Sequence, residues 1–337
     1  MSGLILAVVF VFGVMTAQQN AFAAAAGKKL VIAYAAMNAR VCPLWAPRER
    51  GFFTKYGFDA ETLFVRGAPT LVSAMASNEI EIGYTGGTAV IGAVASGADL
   101  KVLSALTNRV TYDLVVRPGI KSPEDLRGKI FGVQSIGGTV WMGAILALEH
   151  LGLDPERDKI RIIAAGDQTV LAQALASGTI DATVLDGVQS RPLHAKGFPI
   201  LAELDKTRLP ILSSSIVARE PYIQKNPQVV ENVMRAVIEG AAFCLSPSQK
   251  PTTLKILQKY LRITEKDAEE GYRDMVTGLD RKPYAAPAGV TNVVRLMKRT
   301  NPKVENVKPE TLIDDRILKK LDQSGFIDEI LTKYGVK

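Results

Sequence analysis

Apolar and polar positions along the chain repeat as short apolar strands, each followed by a longer amphipathic run, and the pattern occurs twice. Residues 71 to 87, LVSAMASNEIEIGYTGG, return one hundred positions later as LAQALASGTIDATVLDG, with Leu71/Leu171, Ala74/Ala174, Ala76/Ala176, Ser77/Ser177, Ile80/Ile180 and Gly87/Gly187 matching. The repeat extends upstream: β-like runs at 29–34 and 129–133 each precede a helix-like stretch that ends at Tyr56-Gly57 or Leu151-Gly152, where glycine supplies a left-handed cap. Further strands are expected at 60–65 and 160–164, and each copy then reads as the helix, turn and strand of the matched segment, closed by a helix ending at Gly97 or Gly197. Both copies are βαβαβα, so the expected fold is α/β: two βαβ-based lobes with mostly parallel sheets and right-handed crossovers.

Two more β-like segments follow each copy, 101–106 and 112–117, then 199–204 and 213–219. The second of each pair is read as a hinge strand between lobes, near 113–117 and 213–217. Lobe one is therefore expected to hold residues 27–115 together with 215–337, and lobe two residues 116–214. Beyond Glu220 the signals are helical, from Asn226-Pro227 through Leu245, at Thr264 to Asp267, at 287–298 and at 309–321, forming a C-terminal tail placed against the outside of lobe one.

Residues 1–26 contain no Lys, Arg, Asp or Glu, carry an apolar run from Leu4 to Met15 and end in small residues, the pattern of a secretory signal peptide. Its apolar run is shorter than the ~20 residues that span a bilayer. With 47% apolar and 22% charged residues over its 337 positions, the chain has material for two buried cores. Its formal charge of +7 is scattered among short clusters such as Lys28-Lys29 and Lys319-Lys320, with no nucleic-acid-binding motif, so no nucleic-acid partner is expected. Cys42 and Cys244 have neither CxxC spacing nor a nearby His, and the sequence leaves their pairing open.

Several segments resemble the sulfonate, nitrate and taurine class of periplasmic substrate-binding proteins, which also includes binders of thiamine pyrimidine precursors. They are Pro43, Ala46, Gly51-Phe52-Phe53, Gly57-Phe58, the run Ile120 to Lys129 (I-x-S-x-x-D-L-x-G-K) and Gly178-Thr179-Ile180-Asp181-Ala182. The resemblance covers nearly the whole chain after residue 26. It implies a periplasmic binding protein type II-like fold and a monomer in the periplasm. Such a protein captures a small organic anion or zwitterion by hinge closure and hands it to an inner-membrane ABC permease with its ATPase. No cofactor and no metal are implied. A ligand-sensing receptor subunit, or a pyrimidine-precursor binder or enzyme, is the alternative. The enzyme reading is disfavoured because His150 and His194 lie in helices and no hydrolase, nucleotide or zinc motif is present.

The candidate site follows from two glycine-containing loops, one in each lobe. Thr85, Gly86, Gly87 and Thr88 in lobe one, and Ser135, Gly137, Gly138 and Thr139 in lobe two, each lie between a strand and a helix, where exposed amides at a helix N-terminus cradle an anion. Asp186 occupies the repeat position of Gly86, and a carboxylate there suits a ligand with one acidic end and one donor end. Asn38 follows the first strand and is placed in the site. Arg40, Arg66 and Arg109 also follow strands of lobe one but are read as solvent-facing, and Tyr84 and Trp141 as packing residues.

Overall fold

The computed structural model describes residues 28–336; the segment read as a signal peptide lies outside them. Ten strands form two five-stranded sheets. In the first, β1 (Lys28–Tyr34), β2 (Phe58–Phe64), β3 (Ile82–Thr85), β4 (Leu100–Arg109) and β10 (Pro210–Arg219) run in the order β2-β1-β3-β10-β4. In the second, β5 (Asp113–Val116), β6 (Ile130–Val133), β7 (Arg161–Ala164), β8 (Ala182–Leu185) and β9 (Ile200–Glu203) run in the order β7-β6-β8-β5-β9. The duplicated sequence thus yields the same strand arrangement twice. Within each sheet the three repeat strands are parallel, and the fourth position is filled by one antiparallel strand, β10 or β5, that arrives from the other lobe.

That exchange fixes where the chain crosses. β5 pairs along its whole length with β8, so the expected boundary between 115 and 116 falls inside a strand of the second sheet. β10 likewise pairs with β3 and β4 of the first sheet, and the boundary between 214 and 215 falls inside it. The crossing segments are 110–112 and 204–209, just before the strands read as hinges. Apolar patterning identifies a strand but not the sheet whose hydrogen bonds it completes.

Glycines end the repeat helices as expected: Gly57 (φ +90°) and Gly152 (φ +73°) sit in the left-handed region that other residues avoid. The run at Ser122 forms only a short 3-10 turn, Pro123–Leu126, closed by the Asp125 carboxylate accepting from the backbone N–H groups of Lys121 (2.9 Å) and Ser122 (3.0 Å). In the tail, helix Pro227–Leu245 packs along helix Cys42–Arg50 of lobe one. Gly240 permits the approach, because a Cβ there would meet the Pro47 ring at 2.6 Å. The stretch expected as one helix from Pro309 is broken into Pro309–Leu312 and Arg316–Gln323, and helix Pro287–Met297 lies against β10. No helix among the described residues is long and apolar enough to cross a membrane.

Candidate functional site

Because the repeat strands are parallel, the loops after β1, β3, β6 and β8 all emerge at strand C-terminal ends, where α/β folds gather their binding loops. Here the two sets of loops face each other. Between them lies a small cavity, lined from lobe one by Asn38, Arg40, Tyr84, Thr85 and Gly86 and from lobe two by Gln134, Ser135, Gly138 and Thr139. Ser213 and Ser214 of β10 and Tyr112 of the first crossing segment close it from behind.

Two helices begin at this cavity, Gly87–Ala95 with Gly86 as its N-cap residue and Thr139–His150 with Gly138 as its own. Neither has a side-chain cap, so first-turn N–H groups of both are left for a guest. Glycine is needed at both caps for room. A Cβ on Gly86 would overlap Thr139 Oγ1 and approach the Ser213 carbonyl to 3.1 Å, and one on Gly138 would lie 2.8 Å from Ser135 Oγ. The lobes also touch through Gln134 Nε2, which donates to the Ala35 carbonyl (3.4 Å), and through the Arg66–Asp167 ion pair (3.4 Å).

Arg40 was expected in solvent and is instead 2% exposed. It sits on the short turn Ala39–Val41 at the head of helix Cys42–Arg50, and Asn38 Oδ1 accepts its backbone N–H (3.1 Å). Its Nη1 donates to Thr111 Oγ1 (2.9 Å), its guanidinium carbon stands 4.6 Å from the centre of the Tyr112 ring, and the Tyr84 hydroxyl donates to its carbonyl (2.7 Å). Burial disfavours its charge, but Tyr112, Asp186 and Asp274 more than offset this and keep it charged. Its Nη2 is buried without a partner, as are Thr85 Oγ1 and Ser213 Oγ, all on residues lining the cavity. The one sequence signal for Arg40 is its place at the start of an otherwise apolar run, Val41 to Ala46.

The remaining expected residues divide. Gly87 lies beneath Leu212, whose Cβ would be 2.7 Å from a Cβ on Gly87. Thr88 and Gly137 line a separate surface groove beside helix Gly87–Ala95. Asp186 lines a neighbouring chamber, to which Asn38 also contributes. Arg66 is in its inter-lobe pair, Arg109 pairs with Asp280 (3.6 Å), and Trp141 packs partly buried against the core.

Behind Asp186 lies a feature the sequence did not disclose. Asp274, on tail helix Glu265–Gly278, accepts the backbone N–H of Gly187 at the start of helix Gly187–Ala195 in lobe two. Burial and then the charge of Asp186 push Asp274 up to about 7, against the Gly187 N–H and Arg40. Burial also raises Asp186, with Arg40 opposing. Among the described residues one trio of acids, Asp113, Glu203 and Asp205, is close enough to share a metal ion. It is already faced by cations, Arg191 at 3.6 Å from Asp113 and Lys206 at 2.7 Å from Glu203.

Comparison with known proteins agrees with this architecture. The sequence matches the family described as NMT1/THI5 like over residues 38–250. A binding protein of Brucella abortus (strain 2308) is 28% identical over 231 residues, 66% of this chain and 68% of its own. Among solved structures, the alkanesulfonate-binding protein SsuA from Xanthomonas axonopodis pv. citri, bound to MOPS, superposes with a TM-score of 0.68 at 17% identity over 88% of this chain and 98% of its own. The periplasmic nitrate-binding protein NrtA from Synechocystis PCC 6803 gives 0.67 at 13% identity over 92% and 90%. At such identities the shared property is the two-lobed fold.

Proposed function

The chain belongs to the NMT1/THI5-like family, and from that premise we propose that it is the solute-binding component of an ABC importer, holding a small organic anion between its lobes. The observation that carries this reading is the set of three buried, unpartnered donors around one cavity, Arg40 Nη2, Thr85 Oγ1 and Ser213 Oγ, together with two uncapped helix N-termini. An unpaired buried donor costs ~1–3 kcal/mol, and more when charged, so these groups favour a guest that supplies acceptors. An anionic oxygen cluster satisfies all of them at once, and the helix ends add ~0.3–1 kcal/mol each.

Capture proceeds by closure. The solute meets one set of loops, the other lobe swings about the crossing segments 110–112 and 204–209, and Thr139 comes to rest against Gly86. A permease with its ATPase in the inner membrane reads the closed form, and the protein works in the periplasm as a single copy. The names of SsuA and NrtA support a sulfonate-like or similarly compact oxyanion head. The reading is tested by calorimetric titration of the purified protein with alkanesulfonates, nitrate and matched carboxylates. Binding lost on Arg40→Gln supports it, and absence of binding to every anion in the series overturns it.

A further inference from the structure

Beside the anion cavity lies a second chamber, and Asn38 lines both. Two of the residues around it are buried polar groups with a free valence. Gln168 is 5% exposed and its Nε2 has no partner; Asp186 is 4% exposed and its Oδ1 has none. The carboxamide is oriented, because Gln168 Oε1 accepts the Asp186 backbone N–H at 3.0 Å, which leaves Nε2 as the free end. The Asp186 carboxylate lies against the first-turn N–H groups of Val188 and Gln189 of helix Gly187–Ala195, and its Oδ1 is the oxygen left without a partner. One unpartnered donor and one unpartnered acceptor thus belong to residues lining the same chamber, while Met37, Val188, Leu261 and Ile263 give it apolar wall.

We propose that this chamber is a second subsite, which takes a hydroxyl group on the tail of the same anion. The proposal rests on the reading of the first cavity as the anion site. A hydroxyl accepts from Gln168 Nε2 and donates to Asp186 Oδ1, satisfying both groups with one atom. An ammonium donates only and leaves Nε2 unpaired, while an alkyl end leaves both unpaired. The charge of Asp186 does not reverse this order, because burial disfavours its charged form and the buried Arg40 guanidinium, whose charge it feels, also repels an incoming cation. The apolar wall accommodates an alkyl spacer between the two polar ends. A site built to hydrogen-bond a hydroxyl discriminates against the analogue that lacks it.

The test is calorimetry on the intact protein with matched alkanesulfonates and alkanecarboxylates of two-, three- and four-carbon spacers, each ending in methyl, hydroxyl or amino. At the best spacer the hydroxyl compound should bind about ten-fold tighter than the methyl compound and tighter than the amine. Gln168→Glu, which replaces the free donor by an acceptor, should switch the preference from hydroxyl to amine. Equal affinities for methyl and hydroxyl ends, or an amine preferred by the unmodified protein, overturn the second subsite while leaving the anion site intact. Failure of every compound to bind overturns both.

Discussion

Gly86 and Thr139 meet across the cleft so closely that a single added methyl on Gly86 would overlap the threonine hydroxyl. Gly86 has φ −80°, a conformation open to any residue, so its role is space and not backbone freedom. The two residues belong to different lobes and to different loops of the duplicated unit, Gly86 after its third strand and Thr139 after its first, so the contact joins non-equivalent parts of the two copies.

Gly86→Ala should therefore fold normally and fail to close. Affinity for the best anion should fall at least ten-fold, and small-angle scattering should show no ligand-induced decrease in radius of gyration. Adding Thr139→Ala, which removes the overlapping hydroxyl, should restore the decrease. An unchanged affinity for Gly86→Ala alone would show that this contact does not limit closure.

Arg40→Gln removes the only charged member of the unpartnered set around the anion cavity. Hydrogen bonds to a charged group are worth ~1.5–3 kcal/mol, which corresponds to roughly ten- to a hundred-fold in Kd. Arg40→Lys should recover only part of this, since an ammonium cannot hold Thr111 Oγ1 and a ligand with the same planar fork.

Asp274 gives the protein a pH dependence of unusual sign. Its carboxyl is raised to about 7 in the folded chain against ~3.9 unfolded, so between those values the folded state holds the extra proton. Stability from this group should decline as pH rises from about 4 to about 7, and the buried, upward-shifted Asp186 and Asp113 act in the same direction. Thermal melts across this window should show the decline in the unmodified protein and a shallower one in Asp274→Asn. A parallel profile for the two would exclude Asp274 as its source.

Glu239 behaves in the opposite sense. Fully buried on helix Pro227–Leu245, it accepts from Lys55 (2.5 Å), Tyr56 (2.7 Å), Lys333 (2.7 Å) and Tyr334 (3.1 Å), tying the end of the chain to lobe one. Burial raises its carboxyl, but the hydrogen bonds from Lys333, Lys55 and Tyr56 prevail and hold it down at about 2. Its contribution is thus present above the unfolded value near 4.3 and lost as pH falls toward 2. Glu239→Ala leaves the half-exposed Lys55 and Lys333 free to hydrate but removes the acceptor of four hydrogen bonds, and should cost ~2 kcal/mol in urea denaturation at neutral pH. A loss below ~1 kcal/mol would mean that the hub is dispensable.

Much of this was legible before any coordinates. The duplication around Leu71 and Leu171 and the glycine caps at Gly57 and Gly152 follow from periods of two and of about 3.6 and from the few residues that tolerate left-handed backbone. These are local properties, and the sequence states them directly. It was silent on the partners of β5 and β10, because a strand's pattern is the same whichever sheet it joins. It also misplaced Arg40, since a single charge beside an apolar run reads as surface until the groups that compensate it are known.

The sequence by itself determined that one α/β unit occurs twice and that amide-rich loops end its strands. Only the tertiary structure decided that the strands are exchanged between sheets, that Thr139 reaches Gly86, and that Arg40, Asp186 and Asp274 share one buried neighbourhood. The physical reason is range. Backbone preference and amphipathic period act over a few residues, whereas closeness of approach and burial of charge depend on residues far apart in the sequence, such as Gly86 with Thr139 and Arg40 with Asp274.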